Sequence, residues 1–176
     1  MCRRFVMVDR DEVARIAAEV ARGLEARKDA VVRLGALDTL DDFRESLSAP
    51  APREPAAHRD AFPSSVVALI APTGLGTQLA VADMVWGYEV PWKKGPVFNT
   101  RIETARDNPS SMWRASLERR RCLVPAWRFF ESHATETVAS PRTGKPMRRS
   151  YSFARADGAP LILAGIHEAG RFSLVT

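Results

Sequence analysis

The sequence predicts an α+β fold, mainly antiparallel β-sheet with a barrel-like core and helices at its periphery, in a single domain spanning residues 1–176. Three observations carry that expectation. The 176 residues, 45% of them apolar, are enough for one core. Apolar residues at helical spacing are confined to the first fifty residues and to Pro109–Arg120. Beyond Ser64 the chain becomes short apolar runs separated by turn residues, the pattern of strands joined by hairpins.

Taken in order, Asp9 followed three residues later by Glu12 forms a capping box, in which the first carboxylate accepts orphan amides and the second reaches back. Val13, Ile16, Ala17, Val20 and Leu24 then predict an amphipathic helix over 10–28. A second short helix is expected from Thr39, with Phe43 and Leu47 on one face. Residues 48–63 are rich in Pro and Ala and predict an extended surface loop. Residues 65–71 and 77–86 flank Thr73-Gly74-Leu75-Gly76 as one hairpin, and Asp157-Gly158 joins 150–156 to 160–167 as another. Residues 109–120 are expected to be helical with Met112, Trp113 and Leu117 inward, and 121–130 to be a buried strand interrupted at Pro125. Arg171–Thr176 alternates like the start of a core strand.

Two cysteines provide neither a disulfide framework nor paired zinc-ligand spacing, so no metal or cofactor is expected and a reducing, cytoplasmic setting is favoured, nucleoid-associated in a bacterium. The longest apolar runs, 66–72 and 161–166, are too short to span a bilayer, and the N-terminus carries no apolar signal core. The net charge of +5 is unevenly placed. Between Lys93 and Arg149 there are 13 basic and 5 acidic residues, a net of +8, which leaves −3 for the rest. Trp92, Phe98, Trp113, Trp127, Phe129 and Phe130 are interleaved with that basic charge. Cationic forks for phosphates and flat rings for unstacked bases suit single-stranded nucleic acid, while a solvated basic face over an ordinary aromatic core has the same composition.

The chain begins Met1-Cys2-Arg3-Arg4-Phe5. Trimming of Met1 leaves a thiol and an α-amine on one carbon framework, with ordinary pKa values of about 8.5 and about 7.7 to 8.0. An aldehyde meeting that pair condenses with the amine to an imine, which the sulfur then captures as a five-membered thiazolidine. Taken alone, Cys2 also reads as a small apolar residue opening a strand.

Four segments resemble, in order, the motifs of the SOS-response-associated peptidase (SRAP) family. They are Met1-Cys2-Arg3-Arg4-Phe5, Val85-Trp86-Gly87-Tyr88 with Pro91-Trp92, Phe98-Asn99-Thr100-Arg101-Ile102-Glu103-Thr104, and Arg120-Arg121-Cys122-Leu123-Val124-Pro125-Ala126 through Phe129-Phe130-Glu131. Ala164-Gly165-Ile166-His167-Glu168 is a weaker echo. The resemblance implies binding of single-stranded DNA and covalent capture of abasic sites, whose ring-opened sugar presents an aldehyde to Cys2. It implies that Glu131 moves protons during sugar opening and dehydration of the carbinolamine, and that Asn99 orients amine and sugar oxygen. Arg4 and Arg101 correspond to arginines that hold phosphates beside the lesion, and Trp92 to an aromatic against the DNA. Structural alternatives stand beside each: an ion pair of Glu131 with Arg128 or Lys145, a turn amide for Asn99, a core position for Trp92. Glu103 reads as a structural partner of an arginine.

Departures are equally specific. Arg3 stands where the family has glycine, and Trp127-Arg128 replace small or acidic residues and glycine before the aromatic pair. The family histidine belongs to an H-x-R-M-P-like motif downstream of the strand ending at Thr176, so the resemblance implies either a domain incomplete at its C-terminus or a member without that group. His133 and His167 are the candidates to replace it, and His58 reads as a surface residue. Three further functions compete: an N-terminal-nucleophile amidohydrolase, a thiol autopeptidase, and a noncatalytic single-stranded DNA-binding module independent of Cys2.

Overall fold

In the computed structural model, which describes residues 2–33, 58–73 and 78–176, fourteen elements succeed one another. They are β1 (Arg4–Met7), α1 (Arg10–Arg33), β2 (Asp60–Ala61), β3 (Val66–Thr73), β4 (Gln78–Trp86), β5 (Tyr88–Val90), β6 (Lys93–Val97), β7 (Asn99–Thr100), α2 (Ile102–Asp107), α3 (Arg114–Arg119), β8 (Arg121–Ala139), β9 (Pro146–Phe153), β10 (Leu161–Glu168) and β11 (Arg171–Val175). The expected helix at Thr39 and most of the Pro-rich loop lie outside the described residues.

Strand pairing closes on itself. β8 pairs β10, β10 pairs β11, β11 pairs β4, β4 pairs β3, and β3 returns to β8 through Ile70 opposite Leu123. The result is a five-stranded barrel, antiparallel at every seam except β11–β4. Closure removes the free edges that an open sheet of these strands would expose. Its interior is filled by Phe5, Leu69, Trp86, Val124, Phe172 and Leu174. Trp86 is fully buried, donates Nε1–H to the Phe98 carbonyl at 2.8 Å and packs on Phe5 at 4.9 Å between ring centres. A Cβ at Gly165 would lie 2.8 Å from the Cys122 Sγ, so only glycine lets β10 sit this close to β8.

Outside the barrel α1 lies over β3 and β4, burying Val13, Ile16 and Ala17 against Val6, Val8, Ile70 and Trp127. Its N-terminus is capped by half of the expected box. The Glu12 amide donates to Asp9 Oδ1 at 2.9 Å, while the Glu12 carboxylate turns to Arg15 instead.

The predicted hairpin of β3 and β4 is present in continuous antiparallel register from Val66–Val85 to Thr73–Gln78. The second is not. Gly158 makes its turn at φ 78°, but β9 and β10 do not pair with each other; they lie along the same edge of β8, β10 against 121–126 and β9 against 129–139. β8 is correspondingly long, 19 residues, and runs through Pro125 without interruption. The helix expected over 109–120 is limited to α3, with Trp113 buried and Met112 turned outward. Arg171–Val175 is the core strand its alternation predicts.

Candidate active site

One irregularity aims the site. Cys122, Val124 and Ala126 of β8 point into the barrel, and strict alternation would continue that face through 128 and 130. Opposite β1, however, Val6 pairs Arg128 and Met7 pairs Ala126, leaving Trp127 as an extra residue in a bulge. The bulge shifts the phase by one. Trp127 and Phe130 join the outer cluster under α1, while Phe129 packs on the interior cluster beside Cys2. Glu131 consequently shares the inner phase. Cys2, Phe129, Glu131, Leu163, Leu174 and Thr176 line a cavity of about 290 Å³ between β1, β8, β10 and β11.

Cys2 is 5% exposed. Its thiol donates to the Arg4 carbonyl oxygen at 3.4 Å. Burial pushes the thiol above its ordinary value, and backbone hydrogen bonding at Arg4 and Phe130 offsets only part of that. The sulfur is therefore held as a neutral thiol near pH 7. Asn99 reaches Cys2 across 97 positions of sequence: its Nδ2 donates to the Cys2 carbonyl at 2.8 Å. β7 places it there by running parallel to β11, with Asn99 opposite Leu174. Asn99 Oδ1 is buried and accepts no hydrogen bond among the described residues.

A second, open basin of about 560 Å³ adjoins the N-terminal strand and is lined by Arg3, Arg4, Lys93, Lys94, Phe62 and Phe98. Arg4 is fixed from two sides, 3.6 Å from Asp60 and with its guanidinium 3.5 Å over the Phe130 ring. Arg3 adds a cation to the basin wall. Trp92 is not a core residue: it is 69% exposed at the turn between β5 and β6, immediately before Lys93. Arg101 is exposed at the N-terminus of α2, two residues from Asn99, and is not part of the basin lining. Glu103 sits exposed in the first turn of the same helix.

The sequence motifs thus name Cys2, Asn99, Glu131 and Arg4, which gather around the two recesses, but miss Lys93, Lys94 and Phe62. The Lys-Lys pair beside an aromatic at a hairpin turn is an available signal. Neither candidate histidine lines the cavity. His133 Nδ1 accepts the Glu136 amide at 2.9 Å, and His167 is half-buried on β10 with its pKa lowered by desolvation and by Arg120. Among the described residues no group of three His, Cys, Asp or Glu side chains converges as metal ligands, and no helix is long and apolar enough to cross a membrane.

The fold and cavity define a closed β-barrel built around an N-terminal cysteine. The model of the SOS response associated peptidase (SRAP) family matches residues 1–173, and the chain belongs to that family. Among solved structures it is similar to a phage-related protein from Bordetella bronchiseptica, with 25% identity and a TM-score of 0.52, over 79% of this chain and 65% of that one. A further protein from the same organism is 24% identical, with a TM-score of 0.46 over 80% and 69% of the two chains. The chain thus spans slightly less than two thirds of the first of these structures. No curated protein matches it in sequence. The family's description connects the chain to the response to DNA damage.

Proposed function

We propose that this protein captures abasic sites in single-stranded DNA by forming a thiazolidine at Cys2 after removal of Met1. The observation that carries the proposal is the Asn99–Cys2 contact at 2.8 Å, at the side of a cavity that Cys2 shares with Glu131. The freed α-amine adds to C1′ of the ring-opened sugar and gives a carbinolamine. Protonation of its hydroxyl lets water leave and an imine form, and the Cys2 sulfur then bonds to C1′ while nitrogen takes a proton. The balance is aldehyde plus aminothiol to thiazolidine plus water.

Each side chain has a role that suits its surroundings. Asn99 Nδ2 fixes the Cys2 carbonyl, and its vacant Oδ1 is available to accept from the amine attached to the same residue. Glu131 at the cavity wall delivers and withdraws the proton of dehydration. The freed amine adds first and forms the imine that the Cys2 sulfur then captures. Arg3, Arg4, Lys93 and Lys94 supply phosphate contacts, with Phe62 and Trp92 as exposed rings for unpaired bases.

The test is incubation with single-stranded DNA containing one abasic site, followed by denaturing electrophoresis. A heat-stable adduct with that DNA, absent with an intact strand and absent for Cys2→Ala, supports the proposal. Equal adduct from wild type and Cys2→Ala refutes it, since another nucleophile then reacts, and noncovalent binding without any adduct refutes it in favour of a noncatalytic binding module.

A further inference from the structure

We propose that the two-stranded ribbon of β8 and β9 is a second nucleic-acid surface, which takes the unpaired strand leading away on one side of the lesion. This rests on the assignment of the Cys2 cavity to single-stranded DNA and extends it to the path of the flanking strand.

Beyond Phe130 the distal part of β8 leaves the barrel with β9 as its pairing partner, and all eight residues of β9 are exposed. Two-stranded ribbons have little core of their own. Yet β9 presents Met147, Tyr151 and Phe153 at 44%, 41% and 47% exposure. Alternation puts these three and Arg149 on one face. The register then aligns that face with the cavity: Phe153 is opposite Phe129 and Tyr151 is opposite Glu131. Phe153 stacks on Phe129 with ring centres 5.0 Å apart and planes 16° apart. The exposed row therefore runs without a break onto two residues that line the Cys2 cavity, and from Phe153 to Met147 it extends about 20 Å.

Charge on the ribbon is predominantly positive. Between Ser132 and Ser152 stand Arg142, Lys145, Arg148 and Arg149 against Glu136 alone. Glu136 is already engaged, by Arg149 at 3.0 Å and by the Tyr151 hydroxyl at 2.6 Å. Arg142, Lys145 and Arg148 enter no ion pair among the described residues. Rings on which open bases stack, flanked by cations for phosphates, fit a single strand. A duplex would offer the rings no open base, and an acidic peptide would use the cations but leave the aromatic row without a role.

Anisotropy on the full chain tests this, using a short oligonucleotide with a tetrahydrofuran, which has no aldehyde to capture, at the lesion position, and two versions lengthened by about eight nucleotides, one on the 5′ side and one on the 3′ side. A true abasic version of the short oligonucleotide serves for crosslinking. One of the two extensions is expected to tighten wild-type binding about tenfold, the worth of a single well-stacked base. In Met147→Ser/Tyr151→Ser that gain should fall below about threefold, and Tyr151→Phe, which keeps the ring, should restore it. Lys145→Ser, in the turn at the end of the row, should lower the salt slope on the lengthened strand by about one, and Lys145→Glu should weaken binding further. Equal gains in wild type and the double variant, or no gain from either extension, overturn the proposal. Crosslinking of the short abasic oligonucleotide separates the two assignments. If it fails while the ribbon-dependent gain persists, the ribbon surface stands and lesion capture falls; if it proceeds without that gain, the reverse holds.

Discussion

Asn99→Ala should leave stability nearly unchanged while slowing adduct formation on the order of 10²-fold. The substitution removes a 2.8 Å hydrogen bond to the Cys2 carbonyl, a loss of about 0.5 to 1.5 kcal/mol. It also removes Oδ1, a buried acceptor without a partner, whose desolvation costs about 1 to 3 kcal/mol in the native protein. The two effects oppose each other and nearly cancel, so unfolding free energy should stay within about 1 kcal/mol of wild type. Function has no such compensation. Without the amide, the Cys2 backbone and its amine lose their fixed orientation toward C1′, and misplacement of about 1 Å costs on the order of 10²-fold. Urea denaturation monitored by tryptophan fluorescence gives the first quantity, and single-turnover crosslinking gives the second. A loss of more than about 2 kcal/mol with an unchanged crosslinking rate would show that Asn99 is a structural amide and the reasoning is wrong.

Glu131→Gln keeps the shape of the cavity wall but cannot exchange a proton, so crosslinking should slow by about 10²- to 10⁴-fold with noncovalent affinity unchanged; quenched-flow gels against anisotropy separate the two. Arg4→Ala and Arg101→Ala should each weaken binding and lower the salt slope by about one, read from affinity at several salt concentrations, and an unchanged slope moves the phosphates elsewhere. Burial pushes the Cys122 thiol up to about 12, so the unfolded chain releases that proton first as pH rises. The stability it contributes is complete below the ordinary thiol value and is lost as pH climbs toward the folded one. Between pH 9 and 10 Cys122 should account for about 1 kcal/mol of the loss, so Cys122→Ala should lose about that much less than wild type over the same step, as measured by denaturation at the two pH values.

Local patterns in the sequence carried the elements whose partners are near in the chain. Alternation over Val66–Trp86 specified both strands and their hairpin, and the period of Val13, Ile16 and Ala17 specified α1 and the face it buries. Partner choice over longer distances was not legible. Asp157-Gly158 is a genuine turn, yet β10 after it joins the proximal half of β8, because that strand is long enough to hold β9 and β10 in line. Pro125 suggested a break, but it lies two residues from the Trp127 bulge, where the ladder is already irregular. The same bulge decides where Glu131 points, and alternation counted from Cys122 would have sent it outward. The motif resemblance supplied Cys2, Asn99 and Glu131 as residues, while their convergence depends on the parallel β7–β11 pairing and on a one-residue shift in β8. Lys93, Lys94 and Phe62 escaped notice because they come together only when the β5–β6 hairpin and the turn after β2 meet the N-terminal strand.

Mass spectrometry of the purified crosslink, digested with protease and nuclease, tests the central assignment most directly. Capture by the aminothiol predicts a peptide that begins at Cys2, lacks Met1, carries the sugar remnant with loss of one water, and has neither a free α-amine nor a free thiol on that residue. A sugar remnant on a lysine such as Lys93 or Lys94, or an adduct on a chain that retains Met1, would contradict it.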